Sequence, residues 1–160
     1  MTRRKFIKGT TATAIGAATV AQAYAKPASA KPQGKKTGKR KVLTERAPKP
    51  LGPYSQAIIA GNTVYVAGQG LFDPKTGQMP ASFEEQVAMT LENIKAILES
   101  AGATLADVVK VNVYLADLKN FQKMNEVYRR YFKEDYPARA TVGTQLLGEM
   151  SIEIECVAVI

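Results

Sequence analysis

Between residues 82 and 102 the apolar positions Val87, Leu91, Ile94, Leu98 and Ala101 recur at intervals of four and three, the period of a helix with one buried face. Ser82 with Glu85 three residues on forms a capping box at its start, and Gly102 closes it. Residues 109–115 switch to a period of two, with Val109, Val111, Val113 and Leu115 on one face and Lys110, Asn112 and Tyr114 on the other, which predicts a strand. A second helix is expected from the Asp117 cap to about Glu134, with Phe121, Met124, Tyr128 and Tyr131 or Phe132 as its stripe and Pro137 as its stop. Upstream, apolar runs at 56–60 and 63–68 flank Gly61-Asn62, a hairpin signal, and Asp73-Pro74-Lys75-Thr76-Gly77 is turn chemistry. Downstream, strands are expected near 138–146 and 151–159. The order ββ-α-β-α-ββ predicts an α+β fold, a mixed sheet with two helices on one face.

The last strand breaks the simple alternation. Ile152, Ile154, Cys156, Ala158 and Ile160 share one face, while the other reads Glu153, Glu155, Val157, Val159. A face that turns from charged to apolar within one strand is expected to meet another subunit or line a cleft. Two carboxylates at i and i+2 lie about 7 Å apart, close enough for repulsion to raise one pKa. Arg139, the only base between Glu134 and the C-terminus, sits in Pro137-Ala138-Arg139-Ala140-Thr141-Val142. Two readings are open for it: an ion pair with Glu153 or Glu155, or a guanidinium reserved for a substrate carboxylate through two parallel hydrogen bonds. Gly52-Pro53-Tyr54-Ser55-Gln56 and Ala67-Gly68-Gln69-Gly70 each read alone as turns, whose glycines would let backbone N–H groups approach a ligand. Neither is a phosphate loop, since no Gly-Lys-Ser/Thr follows.

Charge redistributes the picture. The chain carries a formal +8, yet residues 1–41 hold eleven Lys or Arg and no acid, while residues 42–160 hold eleven bases against fourteen acids. The basic character is therefore an N-terminal arm, and the acidic remainder argues against a nucleic-acid partner. With no histidine and one cysteine, Cys156, intramolecular disulfides, Cys/His zinc sites and Ser-His or Cys-His nucleophiles are excluded by residue type. Acid–base chemistry is left to carboxylates, Tyr, Lys, backbone and water.

Thr2-Arg3-Arg4-Lys5-Phe6-Ile7-Lys8 resembles a twin-arginine (Tat) signal, followed by a mildly apolar run at 9–25 too weak to anchor in a bilayer. Residues 1–25 are thus expected to be a signal peptide cleaved after Ala25, with Ala30 as the competing site. Such a signal implies contact with the twin-arginine translocation machinery and a periplasmic address. Residues 26–41, rich in Lys, Pro and Gly, read as a basic flexible linker, and 42–160 as one domain.

Across that domain the motifs stand in the order and spacing of the RidA/YjgF family, the enamine/imine deaminases. Ala47-Pro48 and Gly52-Pro53-Tyr54-Ser55-Gln56-Ala57 resemble the family's opening, and Ala67-Gly68-Gln69 with Asp73-Pro74-Lys75-Thr76-Gly77 its second element. Asn93 to Leu98, Ala101-Gly102 and Val111 to Leu118 are similar to its middle. Asn125, Tyr128, Tyr131-Phe132, Pro137-Ala138-Arg139 and Ile152 to Val159 are similar to its end. The resemblance implies a homotrimer of chorismate-mutase-like subunits with clefts at the subunit interfaces. It implies hydrolysis of 2-imino or 2-enamino acids, such as 2-aminoacrylate, to 2-keto acids and ammonia without metal or organic cofactor. By the same resemblance Arg139 clamps the substrate carboxylate and Glu153 positions or activates water. Tyr54 lines the pocket, Asn125 and Tyr128 shape it, and the backbone at Gly68 lies near the ligand. Ala67 and Thr141 depart from the Ser and Cys common at those positions, which bears on substrate preference. The alternatives are a non-catalytic ligand-binding or chaperone-like trimer of the same fold, and a ribonuclease.

Overall fold

The computed structural model describes residues 38–160; the expected signal peptide, and the expected linker as far as residue 37, lie outside the described residues. Arg40–Val42 (β1), Ala57–Ala60 (β2), Thr63–Gln69 (β3), Val108–Leu115 (β4), Ala138–Gly143 (β5) and Ile152–Val159 (β6) form one sheet in the order β1-β2-β3-β6-β4-β5. All neighbours are antiparallel except β4 and β5, so the sheet is mixed. The helices are Phe83–Ala101 (α1) and Phe121–Tyr131 (α2); α1 packs on β6 and β3, and α2 packs on α1.

Local signals set the helices. Ser82 and Glu85 exchange the two hydrogen bonds of a capping box, and Gly102 ends α1 at φ 86°, a left-handed conformation that favours glycine. The stripe Val87, Leu91, Ile94, Leu98, Ala101 is buried against Val64, Val66, Val111, Val113, Ile152 and Ile154 of the sheet.

Several details differ from the sequence reading, among them the strand expected near 138–146, which ends at Gly143. Arg40 and Lys41, taken as the end of the linker, pair with Ile59 and Ile58 as an edge strand, where basic side chains cap a sheet's open edge. Asp117 caps a single 3₁₀ turn, Leu118–Asn120, before α2 begins. α2 stops at Tyr131 rather than near Glu134, because Phe132 leaves the helix in an extended conformation and turns into the core. A register shift between Val108 and Lys110 puts Val108 into the core and leaves Val109 half exposed, out of the buried row that alternation gave it.

The face of the sheet away from the helices is open. Ile58, Tyr65 and Val157 stand in register across β2, β3 and β6 there, beside Glu153 and Glu155. Ala138, Ala140 and Val142 extend the same face along β5 and are exposed.

Candidate active site

Strand register separates the expected site residues into two groups. Arg139 pairs with Val111, which pairs with Cys156, and both of these are buried on the helix-covered face. Glu153 lies between the buried Ile152 and Ile154, so it points to the opposite, open face. The ion pair between Arg139 and Glu153 or Glu155 is therefore not formed: β4 stands between their strands, and the side chains leave the sheet on opposite sides.

The first group surrounds Arg139. Its Nη2 donates to Asn125 Oδ1 at 2.7 Å, and its Nη1 lies 3.9 Å from Met124 Sδ. The guanidinium carbon sits 4.6 Å from the Tyr128 ring centroid and 5.9 Å from that of Phe121. Among the described residues no carboxylate pairs with it. Arg139, Asn125 and Tyr128 line a pocket of about 420 Å³ with Arg129, Tyr136 and Pro137. Among the described residues the buried hydroxyl of Tyr128 has no hydrogen-bond partner, and that burial pushes its pKa up to about 12. It is neutral at physiological pH and unsuited to act as a base.

The second group surrounds Glu153. Tyr54, Gly68 and Glu153 line one cleft of about 610 Å³ with Leu51, Phe72, Leu147 and Met150. The Ala67-Gly68-Gln69 segment is the bulged end of β3 rather than a turn, with the register shift falling between Val66 and Gln69. The bulge brings the Gly68 backbone against the Glu153 carboxyl. A Cβ at Gly68 would lie 2.8 Å from Glu153 Cδ and closer still to Oε1, so no other residue fits without moving the carboxylate. Glu155 accepts hydrogen bonds from Asn112 Nδ2 at 2.7 Å and Tyr114 Oη at 3.1 Å. Desolvation, and then the neighbouring charge of Glu155, raise the pKa of Glu153 above the usual carboxylate value. A carboxylate so placed is a better proton acceptor than a free one, and it returns the proton more slowly. Cys156, by contrast, is an inert thiol pushed up to about 12 by burial.

Three buried amides that pattern reading left without a role position this second cleft. Gln56 accepts from Thr44 N and donates to the carbonyls of Thr44, Ala47 and Pro48, fixing the loop that leads to Tyr54. Gln69 donates to the carbonyls of Ala67 and Gly68 within the bulge. Asn93 of α1 donates to the carbonyls of Gly70 and Phe72 at 3.1 and 3.0 Å. All three lie within the segments that resemble the family, but the carbonyls that they hold are set by the fold. Among the described residues no cluster of His, Cys, Asp or Glu is arranged to hold a metal.

Comparison with known proteins gives this geometry a family. A family model described as Endoribonuclease L-PSP matches residues 44–160. A RutC family protein of Pyrococcus abyssi is 55% identical over 122 residues, covering 75% of this chain and 96% of the relative. A 2-iminobutanoate/2-iminopropanoate deaminase of Dermatophagoides farinae is 43% identical over 126 residues, covering 76% and 97%. The crystal structure of RidA from the Antarctic bacterium Psychrobacter sp. PAMC 21119 superposes with a TM-score of 0.74 at 46% identity, covering 76% of this chain and 99% of that one. With the match running from residue 44 to residue 160 and the relatives covered almost end to end, the chain belongs to the RidA/YjgF family.

Proposed function

We propose that the protein hydrolyses 2-imino acids, and the 2-enamino acids that tautomerise to them, to 2-keto acids and ammonia. The observation that carries the reading is Arg139: a half-buried guanidinium with no carboxylate partner among the described residues, steered by Asn125 and backed by the Tyr128 ring. Such a group is a ready fork for a substrate carboxylate. The deaminase named among the relatives gives the same reaction class independently.

In the proposed reaction the imine carbon is already electrophilic, so orientation and a placed water supply most of the acceleration. Glu153 takes a proton from water as its oxygen bonds to C2, and the resulting carbinolamine receives that proton on nitrogen. The C2–N bond then breaks, ammonia leaves, and the second proton of the added water departs with it, leaving the keto acid.

The two halves lie on opposite faces of one chain, so a substrate held by Arg139 and served by Glu153 has to lie between two subunits. This favours the homotrimer, with the Arg139 pocket of one subunit facing the Glu153 cleft of the next. The open sheet face, with Tyr65 and Val142 about half exposed, gives such an assembly apolar surface to bury. The ribonuclease reading finds little support, because residues 42–160 carry more acids than bases and no histidine.

The test is release of pyruvate and ammonia from 2-aminoacrylate generated in situ, measured against spontaneous hydrolysis. Arg139→Ala should lower kcat/KM by about 100-fold, the loss expected for a charge-assisted, bidentate contact. An unchanged rate would sink the clamp, and keto-acid binding without turnover in the wild type would favour the non-catalytic alternative.

A further inference from the structure

Between residues 31 and 41 six of eleven positions are basic, Lys31, Lys35, Lys36, Lys39, Arg40 and Lys41, and none is acidic. The proposed reaction uses none of them. The fold places the last three. Lys39, Arg40 and Lys41 are exposed, and Arg40 and Lys41 belong to β1, whose buried Val42 anchors the strand in the core. β1 has a single neighbour, β2, so these cations stand along the open edge of the sheet. Successive side chains of a strand leave on opposite faces, which puts Arg40 on the helix-covered side with Val42 and Lys41 on the other. Protection of the edge accounts for Arg40 and Lys41, but not for the four lysines ahead of them.

No carboxylate neutralises this edge. Four ion pairs form among the described residues, and Lys39, Arg40 and Lys41 enter none of them. Glu45, the first acid along the chain, pairs with Lys49 at 3.8 Å, and Glu99 near the end of α1 pairs with Arg46 at 2.7 Å. The residues ahead of β1 have no partner to offer, since residues 1–41 contain no Asp or Glu. Closely spaced cations without counter-charges repel one another, and an anionic partner relieves that repulsion. A bilayer rich in anionic headgroups does so without any fixed geometry, at about fivefold in binding for each Lys or Arg brought to its surface. A nucleic acid asks for more. No aromatic side chain between residues 26 and 41 can stack on a base, and Arg40 is the only fork there for phosphates or base edges. Residues 42–160, with fourteen acids against eleven bases, would also be repelled by phosphates wound close to them, whereas a membrane meets the domain along this one edge.

We infer that residues 31–41, with the β1 edge as their base, dock the protein on an anionic bilayer surface. The inference stands apart from the proposed reaction, because it uses no residue of the Arg139 pocket or the Glu153 cleft. The contact is electrostatic, so it weakens as salt shortens the distance over which charges act.

The experiment sediments the full-length chain with vesicles of phosphatidylcholine alone and of phosphatidylcholine with about 30% phosphatidylglycerol, at about 50 mM and about 500 mM NaCl. Every chain carries Arg3→Gln, Arg4→Gln, Lys5→Gln and Lys8→Gln, so that the charge read is that of residues 26–41. The anionic vesicles should be preferred by at least about 100-fold at the lower salt, with most of that preference gone at the higher. Adding Lys35→Gln, Lys36→Gln, Lys39→Gln, Arg40→Gln and Lys41→Gln should reduce the preference by at least about 50-fold. A second variant, with Lys31→Gln, Lys35→Gln and Lys36→Gln, leaves β1 untouched and should reduce it by at least about tenfold, which keeps the test decisive whatever the strand tolerates. A preference unchanged in both variants would overturn the inference. Full displacement from the vesicles by a DNA duplex at equal phosphate concentration would overturn it too, and would assign the segment to nucleic acid.

Discussion

The ring of Tyr128 lies 4.6 Å from the Arg139 guanidinium carbon, while its buried hydroxyl has no partner among the described residues. An unpaired buried hydroxyl costs about 1–3 kcal/mol relative to a paired one, so removing it relieves a penalty at the expense of a very small void. Tyr128→Phe should therefore keep full stability or gain up to about 1 kcal/mol in urea denaturation. A loss of more than that would show that the hydroxyl has a partner in solution. Glu153 is the opposite case, a side chain whose charge is disfavoured by its surroundings. Its folded-state pKa is raised, first by desolvation and then by Glu155, so the native state binds more protons than the unfolded chain across the Glu titration range. Stability from this group is then lost as pH rises from the unfolded pKa through the folded one. Glu153→Gln should be more stable than wild type near pH 8, with the difference closing below about pH 4, the ordinary range for Glu. A difference that is independent of pH would mean that the effect is packing and not charge.

At the scale of elements, α1 does more than fill the core. Its Asn93 is the only side chain donating to the carbonyls of Gly70 and Phe72 among the described residues, and its Gln86 reaches Ser151 at the start of β6. Asn93→Ala should leave two carbonyls short of donors and cost about 2–3 kcal/mol. Ser82→Ala, which loses only the exposed cap, should cost about 1 kcal/mol. Equal costs in parallel urea titrations would mean that the loop carbonyls find water instead. The ends of α1 were legible because their signals are local: Ser82, Glu85 and Gly102 act on a single turn each. The bulges at Val109 and Ala67-Gly68 were not, since a bulge exists only relative to a partner strand, and here that partner, β6, is the last in the sequence. Edge strand β1 was hidden by its own chemistry, because the Arg40-Lys41 pair that protects a sheet edge reads in sequence as more linker. The site residues were legible as types and spacings, but their grouping was not. Which side of the sheet Arg139 leaves depends on its pairing with Val111, and so on the strand order.

For the whole molecule, that grouping sets a test of assembly which single substitutions cannot give. Arg139→Ala and Glu153→Ala subunits should each be strongly impaired as pure proteins, by about 100-fold for Arg139→Ala, since every site lacks one half. If each site joins Arg139 of one subunit to Glu153 of its neighbour, mixing the two variants recreates intact sites. The intact Arg139 then comes from the Glu153→Ala chain, and the intact Glu153 from the Arg139→Ala chain. After random subunit exchange at equal amounts, about one interface in four should hold both groups, restoring about a quarter of wild-type activity in a cyclic oligomer. A site contained within one chain predicts no recovery at any ratio, because neither variant carries both residues. Recovery that rises and falls with the mixing ratio, peaking at equal amounts, would separate true shared sites from a trace of contaminating wild type. The same mixture run through size exclusion before and after exchange reports whether the recovered activity travels with the oligomer. The opposite-facing placement of Arg139 and Glu153 thus turns the proposed reaction into a testable statement about quaternary structure: on that proposal an isolated subunit would hold two half-sites, which assembly would join.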